Sequence, residues 1–282
     1  MNERLGMTED SELLIGAVAY TPNVVPIWEG LKSYFEDTDT PIDFVLYSNY
    51  ERQLEALFDK HVDMVWNTNV AWVRACRRSG GTAPALAMRD TDLAFQTLFV
   101  GRSGSGLDGL ESLKGRRVAL GSRDSGQARI LPLHFLERAG IGESDMDLVI
   151  FDSDVGKHGD TGQSDLEALR SVLDDDADVA AVGINTWQAL TAADDAATAD
   201  LDVVWESEPY NHCNFTARDD LDADLAERWV TSLLAMDWDN PQHRPILEME
   251  GLRAWVRPEH GGYRSLFDAV EAQGISDDWA KP

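Results

Sequence analysis

The sequence predicts an α/β protein built as two consecutive units with a helical tail. Three observations predict it. Apolar runs of strand length alternate with segments of helical periodicity, that alternation restarts near residue 95, and the last 60 or so residues carry only helical patterning. Such βαβ alternation predicts mostly parallel strands with helices on both faces.

"LLIGAVA" opens the first unit as a buried strand. "NVVPIWEGLKSYFE" follows as a helix, with Val25, Trp28, Leu31 and Phe35 at three- and four-residue spacing. "IDFVLYS" reads as strand, "YERQLEALFDKH" as helix, "VDMVWN" as strand and "TNVAWVRACRRSG" as a helix stopped at Gly80. In the second unit "FQTLFVGR" is a strand with no long helix after it, only the Gly- and Ser-rich residues 103–106. The rhythm then runs "RRVALGS", a helix from about Ser125, "DLVIFD", a helix from about Ser164, "ADVAAVG" and a helix from about Asn185, with "VVWES" and "CNFTAR" closing it. Pro132 falls inside the helix opened by Ser125. It has no N–H to donate, which predicts a kink or a short first segment. The tail reads as three helices, "ADLAERWVTSLLAM", "PQHRPILEMEGLRAW" and "GGYRSLFDAVEAQG", whose Trp229, Trp238, Trp255 and Tyr263 are expected in the core.

The 282 residues carry 51 Asp and Glu against 24 Lys and Arg, a formal net charge of −27. An excess spread along the whole chain is a surface property. It reads as adaptation to a salty cytoplasm, as in halophilic organisms. No basic stripe exists to neutralise phosphates, so nucleic acid is not an expected partner. Cys76 and Cys213 lie far apart and form no CxxC, so neither a zinc site nor a disulfide framework is expected. The N-terminal segment lacks a signal-peptide h-region and a lipoprotein-type cysteine, and no run approaches the roughly 20 apolar residues of a membrane span. The expectation is a cytoplasmic monomer without membrane insertion.

Chemistry concentrates in a few turns. At residues 121–132, "GSRDSGQARILP" places Ser122, Ser125, Gly126 and Gln127 where a strand hands over to a helix. One reading is a plain N-cap. The other is an oxyanion seat, because the first amides of a helix lack internal acceptors and carry the positive end of its dipole. "VGKHGDTG" sets His158, Asp160 and Thr161 in a Gly-punctuated turn, either a capping loop or a source of ligand donors. In "WNTNVAW", Asn67 and Thr68 cap the next helix and are candidates for ligand contact, while Trp66 and Trp72 read as core. Tyr20 ends the first strand and is placed either to stack on a ligand or to cover a hinge. In "EPYNHCNFT", His212 and Cys213 point to opposite faces of a strand and cannot act as base and nucleophile on each other. Cys213 reads as a small buried hydrophobe, and His212 as a candidate ligand contact. No G-x-x-x-x-G-K-[ST], G-x-G-x-x-G, H-E-x-x-H or G-x-S-x-G occurs, so the pattern favours binding over catalysis, with no cofactor and no metal.

The order of "VDMVWNTNVAW", "LKGRRVALGSRDSGQARILPLHFL", "HGD…ALRSVLDDDADVAAV" and "PYNHCNFTARDDL" resembles the substrate-binding components of phosphate and phosphonate ABC importers, over about residues 13–270. The resemblance implies the type II periplasmic-binding-protein fold, two α/β lobes of the Venus-flytrap kind. One lobe is expected from residues 1–95 plus 215–282 and the other from residues 96–214. It further implies an oxyanion held in an interlobe cleft by Ser122, Ser125, Gly126, Gln127 and His158. Tyr20, Asn67, Thr68, Asp160, Thr161 and His212 are the other candidates, and Arg123, Arg129 or Lys157 are expected at the cleft mouth. The carboxylates with which family members hold a ligand's amino group have no clear counterpart here. Three functions follow from the resemblance. The first is a binding component serving an ABC permease, and the second a cytoplasmic carrier or sensor of the same anion. The third is a cytoplasmic enzyme on the scaffold, similar to thiamin-pyrimidine synthases or menaquinone-pathway dehydratases, with His158, Asp160, His212 and Cys213 as its candidate groups.

Overall fold

The computed structural model describes residues 12–81, 83–157, 159, 162–193, 198–259 and 261–275. The chain begins with β1 (Leu13–Val18), α1 (Val24–Phe35), β2 (Ile42–Tyr47), α2 (Tyr50–Phe58), β3 (Met64–Asn67), α3 (Asn69–Arg78), β4 (Ala85–Arg89) and the single turn α4 (Asp90–Leu93). It continues with β5 (Thr97–Arg102), β6 (Arg117–Leu120), α5 (Leu131–Arg138), β7 (Asp147–Ile150), α6 (Gln163–Leu173), β8 (Val179–Gly183), α7 (Ile184–Ala192) and β9 (Leu201–Glu206). It ends with β10 (Asn214–Ala217), α8 (Ala223–Leu234), α9 (Arg244–Glu250), β11 (Trp255–Val256) and α10 (Arg264–Ala272).

The chain divides into two compact units. The first comprises the residues up to Asn67, Ala75–Asp90 and Cys213–Pro258. Its six-stranded sheet has the order β11-β4-β10-β3-β1-β2. β2, β1 and β3 are parallel, whereas β10 runs antiparallel to both β3 and β4. The sheet is therefore mixed, and the expectation of mostly parallel strands holds only for its βαβ half. α1 buries Val24, Ile27, Trp28, Leu31 and Phe35, a run at positions i, i+3, i+4, i+7 and i+11. Val25, expected on that face, is 46% exposed. The stripe starts one residue earlier, so Val25 turns to solvent. Aromatic rings dominate this core: Phe35 stacks on Trp229 at 5.8 Å, and Phe215 lies between Trp66 and Trp255 at 4.7 and 5.5 Å. The segment "PQHRPILEMEGLRAW" is not one helix. α9 ends at Gly251, whose φ of 75° terminates it in the left-handed region, and Trp255 pairs with Arg89 as strand β11.

The second unit comprises Thr68–Arg74, Thr91–His212 and the residues from Glu259 onward. Its sheet has the order β7-β6-β8-β5-β9, with β7, β6 and β8 parallel and β5 antiparallel to β8 and β9. Alternate residues of β6 join different cores. Val118 and Leu120 pack with Leu136 and Ile141, while Ala119 packs with Leu169 and Val172 of α6. That is the two-residue period of a strand covered on both faces. A third cluster joins Val70, Phe135 and Tyr210 to Leu266, Ala269 and Val270 of α10. The last helix thus groups with the second unit, where the sequence reading had placed it with the first. Its apolar face finds the flank of α5 and α3. Among the described residues no helix is long and apolar enough to cross a membrane.

Candidate functional site

The turn after β6 is built around two glycines and a proline. A Cβ on Gly121 would stand 2.7 Å from that of Ala128 and 3.0 Å from Ser164 Oγ, so only glycine lets the loop close there. Ser125 caps the helix, its Oγ accepting the Ala128 N–H at 3.1 Å. The chain then makes a π-helical turn over Gly126–Ile130 before α5 begins. Pro132 explains the irregularity. It cannot donate to the carbonyl of Gln127 or of Ala128, and both find partners elsewhere. Thr97 Oγ1 donates to the Gln127 carbonyl at 2.9 Å, and the Gly121 N–H to the Ala128 carbonyl at 3.0 Å. The expected break before Pro132 is present as this widened turn.

The small polar side chains have specific partners. The Ser122 hydroxyl donates to Asp154 Oδ1 in a short contact and accepts the Asp154 N–H at 3.3 Å. Its own N–H donates to Ser164 Oγ at 3.2 Å. Asp124 Oδ2 accepts the Gly156 N–H at 2.7 Å. Ser122 and Asp124 therefore pin the loop that follows β7. Gln127 donates through Nε2 to the Gly159 carbonyl at 2.8 Å, which leaves its Oε1 facing His212 Nε2 at 3.0 Å. With the amide oxygen as acceptor, His212 Nε2 is the donor of this bond. His212 Nδ1 lies 3.6 Å from Asp92 Oδ1, and the ring stacks on Phe95 at 4.3 Å. Tyr210 completes the network through Thr97 Oγ1 at 2.9 Å, and burial pushes its phenol well above the usual range.

Thr68 and Asn69 start α3 within the same unit. Thr68 Oγ1 accepts the Ala71 N–H at 3.3 Å, and Asn69 Oδ1 the Val70 N–H at 2.8 Å. Asn69 is fully buried, and its Nδ2 has no hydrogen-bond partner among the described residues. It lies against Gly126, where a Cβ would meet Asn69 Oδ1 at 2.6 Å and Nδ2 at 3.0 Å. The second unit thus brings together Thr68, Ser122, Ser125, Gly126, Gln127 and His212 of the expected residues. Two of the candidates sit in the first unit. Asn67 is fully buried there, its Oδ1 accepting from Gln53 at 2.8 Å and its Nδ2 donating to Thr216 at 2.8 Å. Tyr20 packs against the aromatic core. His158, Asp160 and Thr161 lie outside the described residues.

Asn69 and Asp154 were not singled out from the sequence, and Ser164 only as the start of a helix. The one available signal was position, since Asn69 opens the helix in "WNTNVAW". Arg123 and Arg129, expected at the cleft mouth, line a pocket together with Leu133 and Gln273. Cys213 is buried, as its residue type suggested.

What the turn offers chemically is a set of donors. The N–H groups of Gly126 and Gln127 open the π turn and have no intrahelical acceptor. The Ser125 hydroxyl accepts from Ala128 and keeps its proton to donate. Asn69 Nδ2 adds a carboxamide donor beside them.

Known proteins share both the sequence pattern and the fold. A family model described as the periplasmic substrate-binding protein of phosphonate ABC transporters matches residues 17–263. The probable ABC transporter phosphite-binding protein PhnD1 of Prochlorococcus marinus is 24% identical over 246 residues, 83% of this chain and 80% of the relative. The structure of PhnD1 in complex with methylphosphonate superposes with a TM-score of 0.74 at 20% identity, covering 94% of this chain and 98% of that one. A binding-protein component of a phosphonate ABC transporter from Pseudomonas aeruginosa gives 0.67 at 14% identity, with 96% and 90% covered. The Escherichia coli aliphatic sulphonate binding protein SsuA gives 0.56 at 14% identity, with 93% and 83% covered. The fold these structures share with this chain, two mixed α/β sheets in two lobes, is the type II periplasmic-binding-protein fold.

Proposed function

The chain belongs to the family of periplasmic substrate-binding proteins of phosphonate ABC transporters, and from that premise we propose that it takes a small phosphonate or phosphite at the Ser125–Gln127 turn. As a member of that family it is the phosphonate-type binding component of an ABC importer, and a permease is the partner this implies. One observation carries the choice of site: the unpartnered amide of Asn69 beside the amides that open the π turn. Leaving a buried donor unmade is costly. A tetrahedral oxyanion accepts from Asn69 Nδ2, the Ser125 hydroxyl and the Gly126 and Gln127 N–H groups together. The dipole of the following helix favours the same charge.

The roles divide by geometry. Ser125, Asn69 and the backbone N–H groups of Gly126 and Gln127 contact the anion. The Gln127 side chain holds His212 and the Gly159 carbonyl and so positions the turn. Ser122 ties the loop after β7 to the strand end. The relative held methylphosphonate, and a ligand of that size is taken here as the first probe.

Calorimetric titration with methylphosphonate, phosphite and phosphate tests the reading. Charge-assisted hydrogen bonds contribute about 1.5–3 kcal/mol each, so Ser125→Ala and Asn69→Leu should each weaken binding by roughly tenfold or more. Unchanged affinity in both variants would remove the turn from the binding site. Absence of binding by any of the three anions would remove the ligand class.

A further inference from the structure

We propose that the second unit carries a second ligand site, a pocket for a carboxylate with a short apolar body, built on Arg129 and separate from the Ser125–Gln127 turn. Gln127 is directed to His212 and Gly159, whereas Arg129, two residues on, enters a different space. That space is a pocket of about 480 Å³ lined by Arg123, Arg129, Leu133, Ile141, Gln273 and Ile275. Its volume falls within the roughly 300–1,000 Å³ of small-molecule sites. None of the residues assigned to the anion turn lines it.

Arg129 makes no hydrogen bond and no ion pair among the described residues, and its Nη1 is shielded from solvent. Other arginines of the chain are paired. Arg117, Arg138, Arg218, Arg228, Arg244 and Arg257 all lie within ion-pair distance of a carboxylate. Burial lowers the Arg129 pKa, with Asp152 and Glu143 opposing the shift from a distance. Arginine does not lose its proton in a protein, so a half-buried guanidinium whose shielded Nη1 has no acceptor among the described residues is suited to receive an anion.

The rest of the lining selects which anion. Leu133, Ile141 and Ile275 supply apolar walls, so a bare inorganic ion leaves most of the pocket unfilled. Glu137 and Glu143 stand exposed at the rim and oppose a dianion more than a monoanion. A carboxylate matches the planar fork of the guanidinium in a bidentate pair. Gln273, whose Nε2 donates to the Ile130 carbonyl, ties α10 to the π turn along the same wall.

The proposal is independent of the phosphonate reading. The test is an NMR titration of the intact protein with sodium hexanoate, repeated with acetate and in the presence of methylphosphonate. Hexanoate should bind saturably, at least tenfold more tightly than acetate, and methylphosphonate should not displace it. Arg129→Met and the pocket-filling Leu133→Trp should each weaken hexanoate at least tenfold, with Arg129→Lys intermediate and Ser125→Ala within twofold of the parent. Circular dichroism establishes that each variant is folded, and the displacement experiment on the parent stands without them. The proposal fails if hexanoate does not saturate, if methylphosphonate displaces it, or if affinity is unchanged in both Arg129→Met and Leu133→Trp.

Discussion

The contact between Gly126 and Asn69 leaves no space for a methyl group: a Cβ would lie 2.6 Å from Asn69 Oδ1. Gly126→Ala should therefore cost about 1–3 kcal/mol of stability by overpacking. It should also weaken methylphosphonate, because Asn69 must move. The double variant Gly126→Ala, Asn69→Ala should regain most of the stability and none of the affinity. Thermal denaturation and calorimetry on the same four proteins read both halves of this cycle, and recovery of affinity in the double variant would contradict it. Cys76 gives a second test at this scale. Burial pushes its thiol from 9.0 up to about 11. A raised pKa favours the neutral form in the folded state, so this contribution is complete below pH 9 and is lost as pH rises toward 11. The native protein should react slowly with a thiol reagent at pH 8, and Cys76→Ala should flatten part of the fall in stability between pH 9 and 11. Rapid native labelling of Cys76 would contradict this.

At the scale of elements, the π turn ahead of α5 depends on β5 as much as on its own sequence. Thr97 on β5 donates to the Gln127 carbonyl and stands 2.9 Å from the Tyr210 hydroxyl. Thr97→Val keeps the shape and strips both buried groups of a partner, which should lower stability by about 2–3 kcal/mol. It should loosen the turn and so weaken methylphosphonate as well. Denaturant unfolding measures the first effect, and a loss below about 0.5 kcal/mol would show that the turn stands without β5. This dependence marks a limit of sequence reading. "GSRDSGQARILP" announced a cap and an interruption at Pro132, because each is a local property. That the orphaned carbonyls go to Thr97 and to Gly121 is fixed by the sheet, which no local pattern encodes.

For the whole molecule the dominant number is the net charge of −27. Charges of one sign repel in the compact state, and salt screens them with a Debye length of about 8 Å at 0.15 M. Raising KCl from 0.05 to 1 M should therefore raise the Tm. The association rate for methylphosphonate should rise over the same range, since an anion approaches an acidic surface. Stopped-flow measurement of that rate checks the claim, and a rate that falls with salt would mean that a local positive field around the turn outweighs the net charge.

The sequence by itself determined the alternation of strands and helices, the restart of the second unit, the cap at Ser125 and the family's motif order. All of these are carried by residues within a turn or two of one another. Only the tertiary structure decided that Asn69 lies on Gly126, that Ser122 is tied to Asp154 and that Arg129 turns away from Gln127 into its own pocket. The same holds for Asn67, whose carboxamide Gln53 and Thr216 occupy within the first unit. The physical reason is that a donor's availability is a property of everything packed around it. A serine or an asparagine reads the same in the chain whether its hydrogen bonds end on the protein or remain to meet a ligand.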